Sequence, residues 1–288
     1  MRKVCLVLIA LLLLGCSAVP QSDQTTKFTS NLVIAEPLFH TFRAQRAMAH
    51  LNQLVLQAEL SPEERAQLFF QRGLLHDSMG LDALALFDYQ QAIQLKPDMA
   101  GVYNSIGIHQ TLSEAYIEAY EAFDSVLEID PSYHFAYLNR AIAQYYDQRF
   151  ELAKLDIDEF VKYQPDDVYR VLWRFIIYRE IDEAAALAQL QLDYAAIPNS
   201  QWAKRIIAFY LGNITQAALL GDVLLDLDNQ QQLSERLCEV YFYLAKFYTQ
   251  RGQVGVAKNY FKLALATNVY EFVEHRFARY ELRRLSQS

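Results

Sequence analysis

The sequence predicts an all-α protein made of stacked helical hairpins, and two observations support this prediction. No stretch of the 288 residues shows the alternation of apolar and polar residues that marks a half-buried strand. In addition, Pro97, Pro131 and Pro165 recur at intervals of 34 residues, and each closes an apolar helical stretch. Each proline is followed by a residue whose side chain can cap the next helix, since Asp and Ser accept hydrogen bonds from free helix N–H groups. These residues are Asp98, Ser132 and Asp166.

A period of 34 residues is the length of the tetratricopeptide repeat, a helix–turn–helix unit that stacks on its neighbours. The prolines define repeats at 66–99, 100–133 and 134–167, and a fourth unit at 238–271 fits without a proline. Positions 8 and 20 of each unit are small, which lets the two helices of a hairpin approach closely. In the first three units these residues are Gly73, Gly107, Ala141, Ala85, Ala119 and Ala153. Bulky residues at position 24, including Tyr89 and Phe123, fill the space beside them.

The segments that flank the repeats, and the segment between the third and fourth repeats, are also predicted to be helical. An N-terminal helix is predicted at about 37–59, and Ser61, Pro62 and Glu64 form the capping box of the next one. Residues 168–237 read as two divergent helix pairs, and residues 272–285 as a capping helix. The four helices of the divergent pairs are predicted at 168–178, 182–194, 200–211 and 215–228. Residues 36–288 are therefore predicted to form a tetratricopeptide-repeat superhelix with extra N- and C-terminal helices.

The N-terminus carries the pattern of a lipoprotein signal peptide at residues 1–15. Two basic residues precede an apolar run at 4–14, which is shorter than the about 20 residues that a membrane-spanning helix needs. The sequence Leu-Leu-Gly-Cys that ends at Cys16 resembles the lipobox of bacterial lipoproteins. This resemblance implies cleavage after Gly15, followed by an S-diacylglycerol group and an N-acyl chain such as palmitate on Cys16. The alternative is an ordinary secretory signal that contains a cysteine by chance. Residues 16–35, rich in Ser, Thr and Gln, are predicted to form a flexible lipidated tether.

The net charge limits the kinds of partner that the chain can bind, and the cysteine content limits the disulfides that it can form. The formal net charge is −8, and removing the signal with its two basic residues brings it to −8 − 2 = −10. Such an acidic chain is not expected to bind nucleic acid, which needs clustered Lys and Arg. Membrane contact is expected through the lipid alone. Cys5 leaves with the signal and Cys16 is lipidated, so Cys238 remains as a single packed thiol without a disulfide.

A search for catalytic patterns predicts that the chain is not an enzyme. None of the six histidines lies in HExxH or comparable metal-ligand spacing. Ser105 precedes Ile106 and Gly107 as in a nucleophile elbow, but Tyr103 replaces the first glycine and the segment is helical. The chain also lacks a glycine-rich phosphate loop. We therefore expect neither a metal nor a cofactor beyond the lipid on Cys16.

The concave groove of the repeats is the predicted partner-binding surface. Helix-A positions 2, 5, 9, 12 and 13 line such grooves, and here they are mostly apolar or aromatic, with no Lys–Asn clamp for a peptide carboxylate. The predicted groove residues are Phe70, Leu74, Asp77, Asn104, Ile108, Leu138, Ile142, Tyr145 and Tyr146. We expect partners to bind through these anchors, and charged substitutions at Ile142, Tyr145 or Tyr146 to abolish partner capture. The alternative is that the chain's own N- or C-terminal helix, or a dimer partner, covers several of them.

Three segments, 63–81, 118–146 and 268–282, resemble the NlpI family of tetratricopeptide-repeat lipoproteins of the Gram-negative outer membrane. The resemblance implies a homodimeric, lipid-anchored adaptor that faces the periplasm. Such an adaptor binds a tail-specific protease and presents peptidoglycan hydrolases, among them a murein endopeptidase, so that it regulates their turnover during envelope growth and cell division. An alternative in the same broad class is an assembly lipoprotein for outer-membrane proteins or pili.

Overall fold

The computed structural model describes residues 32–38, 42–57 and 59–287, and these residues contain helices but no strand. Gly15, Cys16 and the predicted signal peptide lie outside the described residues. No helix within the described ranges is long and apolar enough to cross a membrane. The helices are α1 Phe42–Val55, α2 Pro62–Ser78, α3 Asp82–Leu95, α4 Ala100–Leu112, α5 Tyr116–Ile129, α6 His134–Tyr146, α7 Phe150–Lys162, α8 Val168–Arg179, α9 Glu183–Ala196, α10 Lys204–Tyr210, α11 Gln216–Asp222, α12 Gln230–Thr249, α13 Val254–Ala266 and α14 Val273–Gln287.

The predicted repeats are four helical hairpins, α2–α3, α4–α5, α6–α7 and α12–α13. Their small residues face large ones, as the spacing requires. A Cβ atom on Gly73 would lie 2.5 Å from Cε1 of Tyr89, and one on Gly107 would lie 2.6 Å from Cε1 of Phe123. Real Cβ atoms do not approach other heavy atoms this closely, so both positions need glycine. The ring of the second helix occupies the space that a larger residue would need.

Each hairpin turn has a left-handed backbone at position 15 of its repeat. The φ angles there are 69° at Gly80, 66° at Glu114, 61° at Gln148 and 70° at Gly252. Glycine adopts this conformation without steric cost, whereas Glu and Gln do not. The two middle hairpins therefore make the same turn as the outer two in spite of their sequence.

The boundaries differ from prediction around the divergent region. Helices α10 and α11 have seven residues each, fewer than the predicted 200–211 and 215–228. The guanidinium of Arg236 donates to the carbonyls of Leu225 and Asp226, at 2.6 Å and 3.2 Å, and so satisfies backbone groups of a turn that would otherwise be helical. Helix α12 then begins at Gln230, with Asn229 as its cap, ahead of the predicted repeat start at 238.

The folded domain also begins earlier in the chain than the predicted residue 36. The hydroxyl of Tyr241 on α12 donates to the carbonyl of Val33, and Ala35 is buried. The backbone N–H of Leu38 donates to the carbonyl of Thr267 at 3.0 Å. Residues 32–35, predicted to end a flexible tether, therefore pack on the repeat domain. The first helix is shorter than the predicted 37–59 and covers only Phe42–Val55.

Candidate protein-binding groove

The C-terminal helix α14 occupies much of the groove predicted to bind partners. Ile142 is fully buried, and Leu138, Tyr145 and Tyr146 are buried as well. The ring of Tyr146 stacks on Phe277 at a centroid distance of 5.2 Å and meets Tyr280 edge-on at 4.5 Å. Side chains of α14 thus fill the place that a partner was expected to take.

A buried ion pair fixes α14 in this groove. Nζ of Lys246 on α12 lies 2.6 Å from Oε1 of Glu281 and 2.9 Å from the Tyr145 hydroxyl. The hydroxyl of Tyr146 donates to the same Glu281 oxygen at 3.0 Å. Burial opposes the charge on Lys246, but Glu281 and Tyr145 outweigh it and keep the pKa of the ammonium above its usual value. Three elements, α6, α12 and α14, therefore meet at one carboxylate.

These contacts correct the predicted groove at three positions. As the chain is folded, a partner cannot reach Ile142, Tyr145 or Tyr146, because they contribute to the protein's own core. Leu138 is also buried, but it lines the open pocket described below. Charged substitutions at Ile142, Tyr145 or Tyr146 would disturb the core together with any binding, so they do not test partner capture. The alternative in which the C-terminal helix covers the groove holds at Tyr146, which contacts Phe277, Tyr280 and Glu281 of α14. Tyr145 is covered by Lys246 of α12.

The other predicted groove residues have mixed environments. Asp77 is buried, with its carboxylate 2.8 Å from Nε2 of His109 and 2.7 Å from the Tyr89 hydroxyl. Asn104 is buried and accepts from Nδ2 of Asn139 at 2.9 Å. Phe70 and Ile108 are half-buried, whereas Leu74 is exposed on the surface of α2.

An open pocket of about 420 Å³ lies beside the part of the groove that α14 fills. Its rim carries the exposed ring of Phe135, and its walls include Phe160 and Trp173. Phe135 and Leu138 are groove positions 2 and 5 of the third repeat. Most of the remaining lining residues come from α8 and from the segment that leads into α14, whereas Phe160 lies on α7 and Glu239 on α12. Sequence reasoning missed these residues, although Glu239 stands at position 2 of the fourth repeat, which is a groove position. The further lining residues are Gln164, Asp167, Tyr169, Arg170, Glu239, Glu271, Phe272, Val273 and Glu274.

Two of these lining residues are buried carboxyl groups. Oε1 of Glu274 accepts from the Tyr243 hydroxyl at 2.9 Å, and the Tyr169 hydroxyl donates to Glu239. Burial, together with the nearby charge of Glu274, raises the pKa of Glu239 well above its usual range. Burial likewise raises the pKa of Glu274. The pocket therefore combines aromatic walls with carboxyl groups whose ionisation costs free energy. Such carboxyl groups are found at many functional sites.

The raised pKa of Glu239 gives a pH prediction. The stability that its protonated form contributes is complete below the unfolded-state pKa and is lost as pH rises through the higher folded-state pKa. Glu239→Gln is therefore expected to unfold at higher urea concentration than the wild type at pH 8, and the difference should shrink towards pH 5. One group changes the free energy of unfolding by at most about 1.4 kcal/mol per pH unit. The exposed Glu121→Gln is the control, and a pH-independent difference for Glu239→Gln would contradict the assignment.

The described residues also contain one cluster that could offer metal ligands, at Asp77, Asp82 and His109, whose ligand atoms lie within 4.8 Å of one another. Arg279 lies 3.4 Å from Asp82, and Arg276 lies 3.8 Å from Asp77, so cationic side chains already compete for both carboxylates. The Cys238 thiol is buried, which raises its pKa and makes the thiolate less accessible. Neither feature has the arrangement of a nucleophile beside a base.

Together these features define a tetratricopeptide-repeat helical superhelix, a fold that serves as a scaffold for protein interactions. A solved tetratricopeptide repeat protein from Parabacteroides merdae is similar, with a TM-score of 0.53 and 15% identity over 85% of this chain and 93% of that one. This likeness confirms the predicted fold class.

Two further solved structures are similar at lower scores. YrrB, described as a tetratricopeptide protein with an unusual peptide-binding site, has a TM-score of 0.41 and 12% identity over 83% of this chain and 100% of that one. The C-terminal part of a repeat-containing protein from Cytophaga hutchinsonii has a TM-score of 0.39 and 16% identity over 78% of this chain and 90% of that one. No protein-family model matches the chain.

Proposed function

We propose that the chain is a non-catalytic adaptor that holds partner proteins together at a membrane. The pocket at Phe135 is the observation that carries this proposal, because it is a part of the repeat groove that α14 leaves open. Aromatic side chains at the centre of a pocket are the contacts that dominate protein–protein affinity. The lining of this pocket suits an apolar or aromatic side chain of a partner segment.

At a finer level we propose an NlpI-type lipoprotein of the outer membrane, cleaved after Gly15 and anchored through the lipid on Cys16. The lipobox-like sequence and the three segments that resemble this family support the proposal. Its partners would be a tail-specific periplasmic protease and peptidoglycan hydrolases such as a murein endopeptidase. The adaptor would act as a homodimer and regulate the turnover of these hydrolases during envelope growth and cell division.

Phe135→Glu is expected to reduce recovery of the protease and hydrolases at least ten-fold in crosslinked affinity purification from detergent-solubilised envelopes. The substitution removes an aromatic anchor and adds a negative charge beside Glu239 and Glu274. Because the Phe135 ring is 52% exposed, helical content by circular dichroism should not change. Phe87→Glu is a matched control, since Phe87 is 53% exposed and lies on α3 away from this pocket.

Two results would count against the proposal. Undiminished capture by Phe135→Glu would remove the pocket from the binding surface. Recovery of outer-membrane barrel or pilus machinery, in place of a protease and hydrolases, would favour the alternative of an assembly lipoprotein.

A further inference from the structure

A second cleft, of about 220 Å³, lies between α14, the turn that joins α2 to α3, and the C-terminal end of α4. Leu86, Leu112 and Tyr270 give it an apolar surface. Arg276, Arg279 and Arg283 line it from α14. Their spacing of three and four residues places them on one face of the helix. The cleft thus presents a row of guanidinium groups beside apolar side chains, and it shares no lining residue with the pocket at Phe135.

The charges in this cleft do not balance. Its three arginines face two aspartates, Asp77 and Asp82. The carboxylate of Asp77 already accepts hydrogen bonds from His109 and Tyr89. Burial and two nearby arginines lower the pKa of His275 to about 4, so this histidine is neutral near pH 7 and does not change the balance. A local positive excess therefore stands on a chain whose formal net charge is −8.

Arg279 is the arginine that is best placed to exchange its partner. Its Nη1 lies 3.4 Å from Asp82, and both side chains are about half exposed. Such an exposed ion pair contributes little to the stability of the fold, because water screens the two charges and both side chains lose conformational freedom. Arg276 and Arg283 are held more firmly, since they donate to the backbone carbonyls of Tyr270 and Leu112. An incoming carboxylate can therefore bind Arg279 without breaking a buried contact.

We propose that this cleft binds an acidic segment of a partner protein, with a carboxylate on Arg279 and Arg283 and an adjacent apolar side chain against Leu86 and Leu112. Arginine forks match carboxylate geometry. A polyanion such as nucleic acid would meet Asp77 and Asp82 at close range, whereas a peptide can place an uncharged residue there. This surface goes beyond the proposed function, and its use does not depend on the pocket at Phe135.

Fluorescence anisotropy with the full chain in a non-ionic detergent tests the proposal. The probes are a labelled octapeptide that alternates leucine with glutamate and its counterpart in which glutamine replaces each glutamate. We expect the Kd for the glutamate peptide to be at least ten-fold lower, and the preference to weaken as ionic strength rises. Arg279→Gln should remove most of the preference. Arg205→Gln should keep it, because Arg205 is similarly exposed and pairs with Asp222 in another part of the fold.

The outcomes separate this proposal from the others. Equal Kd values for the two peptides, or an unchanged preference in Arg279→Gln, would overturn it. So would displacement of the glutamate peptide by inorganic phosphate at equal concentration, which would assign the cleft to small anions. Phe135→Glu should leave the peptide preference intact, so a failure of the proposed pocket and a failure of this cleft are distinguishable.

Discussion

Replacing Lys246 with alanine is expected to lower the free energy of unfolding by about 3–5 kcal/mol, because the change leaves the carboxylate of Glu281 buried without its cation. Lys246 and Glu281 are both almost inaccessible to water, and their charged atoms lie 2.6 Å apart. The same change removes the hydrogen bond to the Tyr145 hydroxyl. Urea unfolding followed by far-UV circular dichroism measures the effect.

A double variant separates the ion pair from simple packing. Lys246→Met combined with Glu281→Met removes both charges and keeps the volume, so it should be far closer to the wild type than either single change. Lys162→Ala is the control, since its pair with Glu159 is solvent-exposed and such pairs on a helix contribute about 0.3–0.5 kcal/mol. If the double variant were as unstable as Lys246→Ala, packing would explain the loss and the ion pair would not.

The second large effect is expected at the contact between Gly107 and Phe123. Phe123→Ala should cost about 3–5 kcal/mol, because it empties the centre of the α4–α5 hairpin. In the wild type, Gly107→Ala should also destabilise the fold, by about 1–3 kcal/mol, since its new Cβ would lie 2.6 Å from the Phe123 ring. This cost exceeds the helix-propensity gain of about 1 kcal/mol from replacing glycine by alanine.

The sign of the Gly107 effect should reverse in the Phe123→Ala background. The ring that causes the clash is then absent, so Gly107→Ala should be neutral or stabilising, and the double-mutant cycle should show a coupling. Gly255→Ala provides the control, because nothing lies within 4 Å of a Cβ built there. It should stabilise helix α13 slightly in either background. Additive effects of the changes at Gly107 and Phe123 would show that the two residues do not share this space.

The repeat hairpins could be predicted from sequence because their signal is local and recurrent. Small residues at positions 8 and 20 and a bulky residue at position 24 return every 34 residues, and the structure pairs them as expected. The left-handed turn residue could also have been found. Gly80 and Gly252 both stand at position 15, which points to the same turn at Glu114 and Gln148.

The occupied groove could not be predicted in the same way. Position in a repeat shows that Ile142 and Tyr146 face the concave side, but not what lies opposite them. Lys246 and Glu281 are far apart in the sequence, and neither stands in a pattern that predicts a buried charge. The turn that ends the shortened helix α11 is held by Arg236, which belongs to the following helix. These features arise from tertiary contacts between elements that are distant in the chain.

The position of α14 in the chain has a consequence for biogenesis. The walls of the groove, α4, α6 and α12, all precede it, so during synthesis they emerge before the helix that fills them. Until then, Tyr146 and the charged end of Lys246 are without the cover that α14 gives them in the finished fold. The unfinished chain therefore exposes apolar side chains that the finished fold buries, and chaperones bind chains in this state.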